Sequence, residues 1–349
     1  MSSVATRPLV SVIVPMRNES EWMERCLGAI FAQDYPSDRI EVLVVDGMSD
    51  DGTYERLCER ALADSRLRVL RNPRLIVPPG LNLAIREARG EIIARVDAHT
   101  EIASDYLSVG VELLARTGAE NVGGPMVKLG GGPVGDAIAG AMSSRFGIGS
   151  YFQFAAAERE ADTVYMGMWP RKVFERVGLF DEELVRNQDD ELSYRIRKAG
   201  GRILVSPAMR SRYQNRQSWR KLVRQFFEYG VWKVRVLQKH PRQMSVRHFV
   251  PPAFDVAILA GLLSAPFGSA GPAFAAAALA VYVVVIAAVA WAEERAGRRL
   301  RYATALALIH HSWAIGFLAG LIRFAGQWAR DESPAPQLSP AEAPSTRGR

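Results

Sequence analysis

Three short stretches carry acids at points where an apolar run has just ended or a helix is about to begin. "VVDGMSDDGT" (44–53) puts Asp46 at the end of a β-branched run, with Ser49, Asp50 and Asp51 able to cap the helix that follows. A carboxylate in that position can accept hydrogen bonds from a base or a ribose. "IIARVDAH" puts Asp97 at the end of a second run, with His99 two residues on. Asp97-Ala98-His99 is either a place for a metal and a nucleotide or the polar end of a strand, and the stretch by itself leaves both open. "RNQDDELSYR" sets Asp189, Asp190 and Glu191 side by side at the start of a helical pattern. Acids there stabilise a helix amino terminus. Three neighbouring acids also repel one another, which can raise a pKa and suit one of them to take a proton from an attacking hydroxyl.

Taken in chain order, "SVIVPMRNE", "VVDGMSDDGT", "ARGEIIARVDAH" and "NQDDELSYR" resemble the motif series of the family 2 glycosyltransferases of the GT-A fold. That series is a strand ending in Pro and followed by Asn-Glu, an Asp-Gly-Ser-x-Asp-Gly-Thr turn, a Gly-Glu strand leading into Asp-x-Asp, and a later Glu-Asp motif before a helical Leu and Arg. The resemblance runs from about Leu9 to Pro207. It implies a nucleoside diphosphate sugar donor, a divalent cation (Mn²⁺ or Mg²⁺) and hexose transfer with inversion. Pro15, Arg17 and Glu19 would border the nucleotide. Asp46 and Ser49 would hold the base or ribose. Asp97 and Ala98 would meet the ribose and the metal-diphosphate, and His99 stands where the family has its metal-binding second acid. Imidazole shifts a site toward transition ions such as Mn²⁺. Aligned on Leu192 and Arg195, Gln188 occupies the family's usual Glu and Asp189 its catalytic base, with Asp190 the fallback. Trp169 would stack on a sugar ring or lie in the core, Gln188 would contact sugar or acceptor, and Arg220 or Arg224 a diphosphate.

"AIAGAMSSRFGIGS", taken with the motifs above, is most similar to the succinoglycan-type exopolysaccharide glucosyltransferases. This finer likeness implies UDP-glucose as donor and a polyprenyl-linked glycan as acceptor. The Gln-x-x-Arg-Trp signature of processive synthases is missing near Gln225. His99 and Gln188, each in place of an acid, motivate a second reading as a membrane-tethered, non-catalytic GT-A-like binding or scaffold protein. The retained Asp46, Asp97 and Asp189 speak against it.

The elements that must position these residues are legible from periodicity. "LVSVIVP", "IEVLVVDG", "LRVLRN" and "EIIARVDAH" read as buried strands, and "ESEWMERCLGAIFAQ", "DDGTYERLCERALA" and "PPGLNLAIREARG" as the helices between them. Strands buried on both faces and joined by helices predict an α/β fold with a mostly parallel sheet. Ligands of such sheets bind at the strands' carboxyl ends, where the residues from Pro15 to Glu19, from Asp46 to Asp51 and from Asp97 to His99 would fall. A helix is expected around Ala137–Ser143, and helix, turn, helix, strand across 170–207.

The 349 residues carry 44 Lys+Arg against 37 Asp+Glu. Residues 195–248 alone hold 15 Lys/Arg and one acid, Glu228. A basic belt beside apolar segments predicts an anionic membrane surface rather than nucleic acid. Cys26 and Cys58 form no disulfide framework and fit a reducing cytosol. The expected organisation is a catalytic domain over 1–215, a basic interfacial segment over 216–248, apolar helices at 249–267, 272–292 and 303–322, and a disordered tail over 324–349. Positive charge flanking the apolar segments, including Arg295, Arg298, Arg299 and Arg301, predicts a multi-pass inner-membrane protein with its catalytic domain cytoplasmic and its tail outside.

Overall fold

The computed structural model describes residues 7–147, 151–215, 217–294, 296–328 and 335–338. They fall into two units. The first holds residues 7–127, 151–213 and 335–338; the second holds 128–147 and the described part of 214–328. The expected 1–215 domain therefore gives up the segment from Lys128 and takes in part of the tail.

The first unit is built on an eight-stranded sheet. Its strands are β1 (Val10–Met16), β2 (Ile40–Asp46), β3 (Leu67–Arg71), β4 (Ile92–Arg95), β6 (Asn121–Gly124), β8 (Arg159–Glu160), β9 (Tyr165–Pro170) and β10 (Ile203–Val205). Their order is β3-β2-β1-β4-β9-β6-β10-β8, parallel except that β9 and β8 run against their neighbours. The helices are α1 (Met23–Phe31), α2 (Thr53–Ala63), α3 (Val77–Glu87), α4 (Tyr106–Thr117), α6 (Lys172–Val177) and α7 (Gln188–Lys198). A short β5 (Thr100–Ile102) pairs antiparallel with β11 (Ser211–Gln214). This is the GT-A arrangement: a mostly parallel sheet with helices on both faces.

Strand alternation sorts the side chains. Val10, Val12 and Val14 of β1, Val42 and Val44 of β2, and Ala94 of β4 enter one core with α1, α2 and α4. Ile13, Leu43, Val45 and Ile93 enter the opposite core, with Leu81 and Ile85 of α3, Phe174 of α6, and Leu192 and Ile196 of α7. Arg95 has the same parity as Ile93, so its side chain leaves the strand on the α7 side. The same rule explains Trp169. It pairs with Ile93 across β4 and β9, and it lies 3% exposed among Phe174 and Phe180. Its expected place against a sugar ring is thereby corrected: it is a core residue.

The second unit contains α5 (Pro133–Met142), α8 (Trp219–Lys239), α9 (Val250–Leu263), α10 (Ala270–Glu293) and α11 (Arg299–Arg323), with β7 (Met126–Leu129) leading into it. Two of these helices, α10 and α11, are long and apolar enough to cross a membrane. The first expected span, 249–267, is instead a 14-residue helix, because Pro266 and Gly268 break the run. α8 and α11 run parallel in close contact. Leu222 and Phe226 share a cluster with Leu306 and Ile309, Val231 and Val234 lie with Phe317 and Phe324, and Gln238 donates to the Phe324 carbonyl at 2.8 Å. Glycines permit this approach. A Cβ on Gly316 would lie 2.1 Å from the Phe227 carbonyl oxygen, and one on Gly230 2.3 Å from that of Trp313. Gly316→Val should therefore force the two helices apart, a destabilisation of about 1–3 kcal/mol or more. Purified protein should show a lower melting temperature and greater protease sensitivity. A melting curve identical to wild type would contradict this packing.

The last described residues also differ from expectation. Composition assigns 324–349 to a disordered tail, but Ala335–Leu338 are seated on the first unit. The Leu179 amide donates to the Pro336 carbonyl at 2.8 Å, Arg86 donates to the Gln337 carbonyl at 3.2 Å, and Leu338 is buried in the α3/α6/α7 core. One apolar side chain between backbone hydrogen bonds is enough to fix a short segment. The rest of the predicted tail lies outside the described residues, apart from a short turn before residue 329.

Candidate active site

The parallel register brings the loops after β1, β2 and β4 to one edge of the sheet. Met16 is opposite Asp46, the Gly47 amide donates to the Met16 carbonyl, and the Val96 amide donates to the Ile13 carbonyl. The first two loops are then joined by side chains. Asn18 N–H donates to Ser49 Oγ at 2.9 Å and Asp50 N–H to Asn18 Oδ1 at 3.0 Å. Glu19 N–H donates to Thr53 Oγ1, and Ser20 N–H to Asp51 Oδ2, both at 3.1 Å. Burial alone would raise the Asp51 carboxyl, but hydrogen bonds from Thr53 and Ser20 outweigh it and hold the group down to about 2. Asn18 sits at φ 54°, a left-handed conformation that Asn tolerates better than most residues.

Within this wall Asp46 is fully buried. Its carboxylate accepts the Ser49 amide at 3.1 Å, and the Arg71 guanidinium stands 4.0 Å away. It shapes the turn from which Ser49 projects. Pro15 is half-buried at the end of β1, and Arg17 is exposed, its stem lying over Gly47.

The Asp97 loop is held from several sides. Arg95 Nε donates to Asp97 Oδ1 at 2.8 Å, and the Asp97 amide lies 3.4 Å from the Met166 sulfur. Ala98 is buried. His99 packs edge-on against Tyr213, ring centroids 4.8 Å apart, with Nδ1 3.4 Å from Glu19 Oε1. Burial pushes the Asp97 carboxyl up, but the charge of Arg95, then of His99, with hydrogen bonds from Arg95 and Tyr165, brings it below the ordinary carboxylate range.

α7 begins at Gln188, after Asn187 turns the chain at φ 64°. Gln188 is buried, while Asp189 and Asp190 are partly buried in the first turn. Arg195 fixes this helix. It grips Glu191 with two hydrogen bonds, 2.6 and 2.8 Å, and donates to the carbonyls of Val177, Gly178 and Leu179. The Asp189 carboxyl is raised above its ordinary value, first by burial and further by the charges of Asp190 and Asp97, with Arg95 opposing. A helix amino terminus favours the charged form by only about 0.3–1 kcal/mol when exposed, so desolvation prevails.

Arg95 is the residue that reading motifs alone overlooks. Its guanidinium is buried, bound to Asp97, and close enough to Asp189 for both carboxylates to hold its proton tightly despite desolvation. The available signal was a charged residue inside the apolar run "EIIARV". Tyr165, whose hydroxyl lies 2.8 Å from Thr100 Oγ1, also joins this group from β9. Arg220 and Arg224 lie on α8 in the second unit. Both are exposed, and Arg224 pairs with Glu228 at 2.8 Å.

Among the described residues no three metal-binding side chains converge. Asp97 and His99 would supply two ligands at most, and a diphosphate would have to supply others. The residues fit such a shared cation. Asp97 is held ionised, and His99 Nδ1 is buried, makes no hydrogen bond and has Glu19 Oε1 3.4 Å away.

Residues 11–177 match the family described as "Glycosyl transferase family 2". The chain is 29% identical over 328 residues to "Succinoglycan biosynthesis protein ExoA" of Rhizobium meliloti (strain 1021), covering 90% of this chain and 95% of that protein. It is 28% identical over 238 residues to a dolichyl N-acetyl-alpha-D-glucosaminyl phosphate 3-beta-D-2,3-diacetamido-2,3-dideoxy-beta-D-glucuronosyltransferase of Methanococcus voltae, covering 66% and 74%. Among solved structures, a mannosyltransferase from Pyrobaculum calidifontis in complex with GDP-Man and Mn²⁺ superposes with a TM-score of 0.62 at 24% identity, over 90% of this chain and 88% of that one.

Proposed function

We propose, from the premise that this chain carries a family 2 glycosyltransferase domain of the GT-A fold, that it transfers one hexose with inversion from a nucleoside diphosphate sugar, UDP-glucose first, to a lipid-linked acceptor at the cytoplasmic membrane face. The printed names of the relatives, succinoglycan biosynthesis and transfer to a dolichyl-linked sugar, support an exopolysaccharide or envelope-glycan setting. The observation that carries the chemistry is the placing of two carboxylates around one buried guanidinium. Asp97 is kept ionised by direct contact with it, and Asp189 is farther away and raised by burial. Neighbouring acids driven in opposite directions are suited to different tasks.

In this reading Asp189 takes the acceptor hydroxyl's proton as the oxygen attacks the anomeric carbon from the face opposite the diphosphate. The bond from that carbon to the diphosphate oxygen breaks. Arg95 holds Asp97 ionised and aimed at the donor, and the joined loops after β1 and β2 border the nucleotide. A divalent cation held by Asp97, His99 and the diphosphate would neutralise charge on the leaving group.

The test is a donor screen that reads nucleotide release with acceptor-bearing membranes, in Mg²⁺ and in Mn²⁺. UDP-glucose should give the fastest release, and Mn²⁺ should serve at least as well as Mg²⁺. His99→Ala should lower transfer about 10–100-fold, the scale of a disturbed metal site, with little change in melting temperature. Full transfer by that variant would return His99 to the role of a strand-end residue. Nucleotide binding without release from any donor would favour the scaffold reading.

A further inference from the structure

We infer that the second unit holds the membrane without crossing it. α9 and α10 form a hairpin that enters and leaves one leaflet of an anionic phospholipid bilayer on the catalytic side. The inference rests on the membrane attachment proposed above and replaces the multi-pass arrangement read from composition.

α11 has the length to span, but its partner rules that out. α8 follows it in parallel, and Leu222 of α8 lies level with Leu306 and Ile309, near the middle of α11. Arg220, Lys221 and Arg224, all exposed, therefore flank the centre of α11. A crossing α11 would carry these three cations into the hydrocarbon, where each is costly. The pair is instead suited to a surface position, with the cations on anionic headgroups.

α9 has 14 residues, a rise of about 21 Å. That is short of a hydrocarbon core of about 30 Å. A turn at Ala265–Phe267 joins it to α10, and the two helices close tightly there: a Cβ on Gly261 would lie 2.8 Å from the Gly271 carbonyl oxygen. The hairpin presents large apolar side chains to the outside, among them Leu259, Leu263, Phe274, Val284 and, at the tip, Phe267 at 92% exposure. No protein surface among the described residues covers them. At the far end of α10, Trp291 is exposed with the Arg299 guanidinium 3.7 Å from its ring, an aromatic–cation pair that suits the headgroup level.

The tail supplies an independent constraint. Ala335–Leu338 lie in the core and hydrogen bonds of the first unit, so the chain before α8 and the chain after α11 are on one side of the bilayer. The number of crossings between them is even. Two crossings by α10 and α11 would put Arg298, Arg299 and Arg301 outside, against the positive-inside rule. Zero crossings satisfies the charges and the seated tail together, and α10, whose 24 residues rise about 36 Å, must then lie obliquely, much of its length along the leaflet rather than through it.

The test is thiol labelling with a membrane-impermeant maleimide in spheroplasts of an expressing bacterium, using full-length Ser269→Cys (hairpin tip), Gly297→Cys (arginine turn) and Ser345→Cys (tail), each read against wild type. None should be labelled from outside. After the cells are opened, Gly297→Cys and Ser345→Cys should label and Ser269→Cys should stay shielded. Outside labelling at any of the three would overturn the arrangement, as would labelling of Ser269→Cys from inside. Wild-type protein found in the soluble fraction would sink the membrane attachment itself; membrane-bound protein with an outside-labelled site would sink only the hairpin.

Discussion

Asp189→Asn is expected to lower the turnover of sugar transfer by about 10²–10⁴-fold, the usual contribution of a general base, while nucleotide affinity stays close to wild type. Asparagine has nearly the shape of aspartate. Its carbonyl oxygen can still accept the Asp190 amide, as Asp189 Oδ1 does at 2.9 Å, so the first turn of α7 should survive. What disappears is the capacity to take a proton. Steady-state nucleotide release gives the first quantity and calorimetric titration of nucleotide the second. A variant that kept more than a tenth of wild-type turnover would move the base elsewhere, to Asp190 first. The pH profile adds a sign. Burial raises Asp189, and the base works ionised, so activity should fall on acidification through a pKa above the ordinary carboxylate range. The ascending limb should therefore lie at a higher pH than an exposed aspartate would give, and it should be gone in Asp189→Asn.

Arg95→Met is expected to destabilise the first unit by about 3–5 kcal/mol, the penalty for removing one partner of a buried ion pair. Asp97 loses the cation that keeps it ionised, and Asp189 loses the charge that opposes its upward shift. Methionine keeps much of the arginine stem's bulk, so packing against the α7-side core should change little. Urea unfolding followed by tryptophan fluorescence, with Trp169 in that core, reports the loss. Adding Asp97→Asn to Arg95→Met should recover part of the stability, because no charge then remains unpaired at that position, without recovering transfer. A single variant within 1 kcal/mol of wild type, about the size of an ordinary surface effect, would show that Arg95 is not the centre of the charge cluster.

The α/β framework was legible because burial on both faces leaves an unambiguous trace. β1, β2, β3 and β4 coincide with runs bounded by Pro15, Asp46, Asn72 and Asp97, and α1, α2 and α3 with the helical spacing between them. Other features depend on contacts between residues distant in sequence. Trp169, between Met168 and Pro170, could face ligand or core, and only its pairing with Ile93 on β4 decides for the core. Arg95 lies in an otherwise apolar run, and its use depends on α7 arriving almost a hundred residues later. The three spans were counted from hydropathy, which does not register that a basic helix lies along one of them. The seat of Ala335–Leu338 rests on a single buried leucine and a few backbone hydrogen bonds, too weak a pattern to stand out in a Pro- and Ser-rich tail.

In the proposed function, the hydrogen bonds that join the loops after β1 and β2 would bear on the thermodynamics of the donor complex. Asn18, Glu19 and Ser20 are already tied to Ser49, Asp50, Thr53 and Asp51. A nucleotide arriving there would meet a surface whose backbone entropy was surrendered during folding, so little of its binding energy would go to ordering that side. More of that energy would be left for straining the sugar toward reaction. Selectivity for the base would then be set by a fixed shape rather than by a loop that adapts to whatever enters.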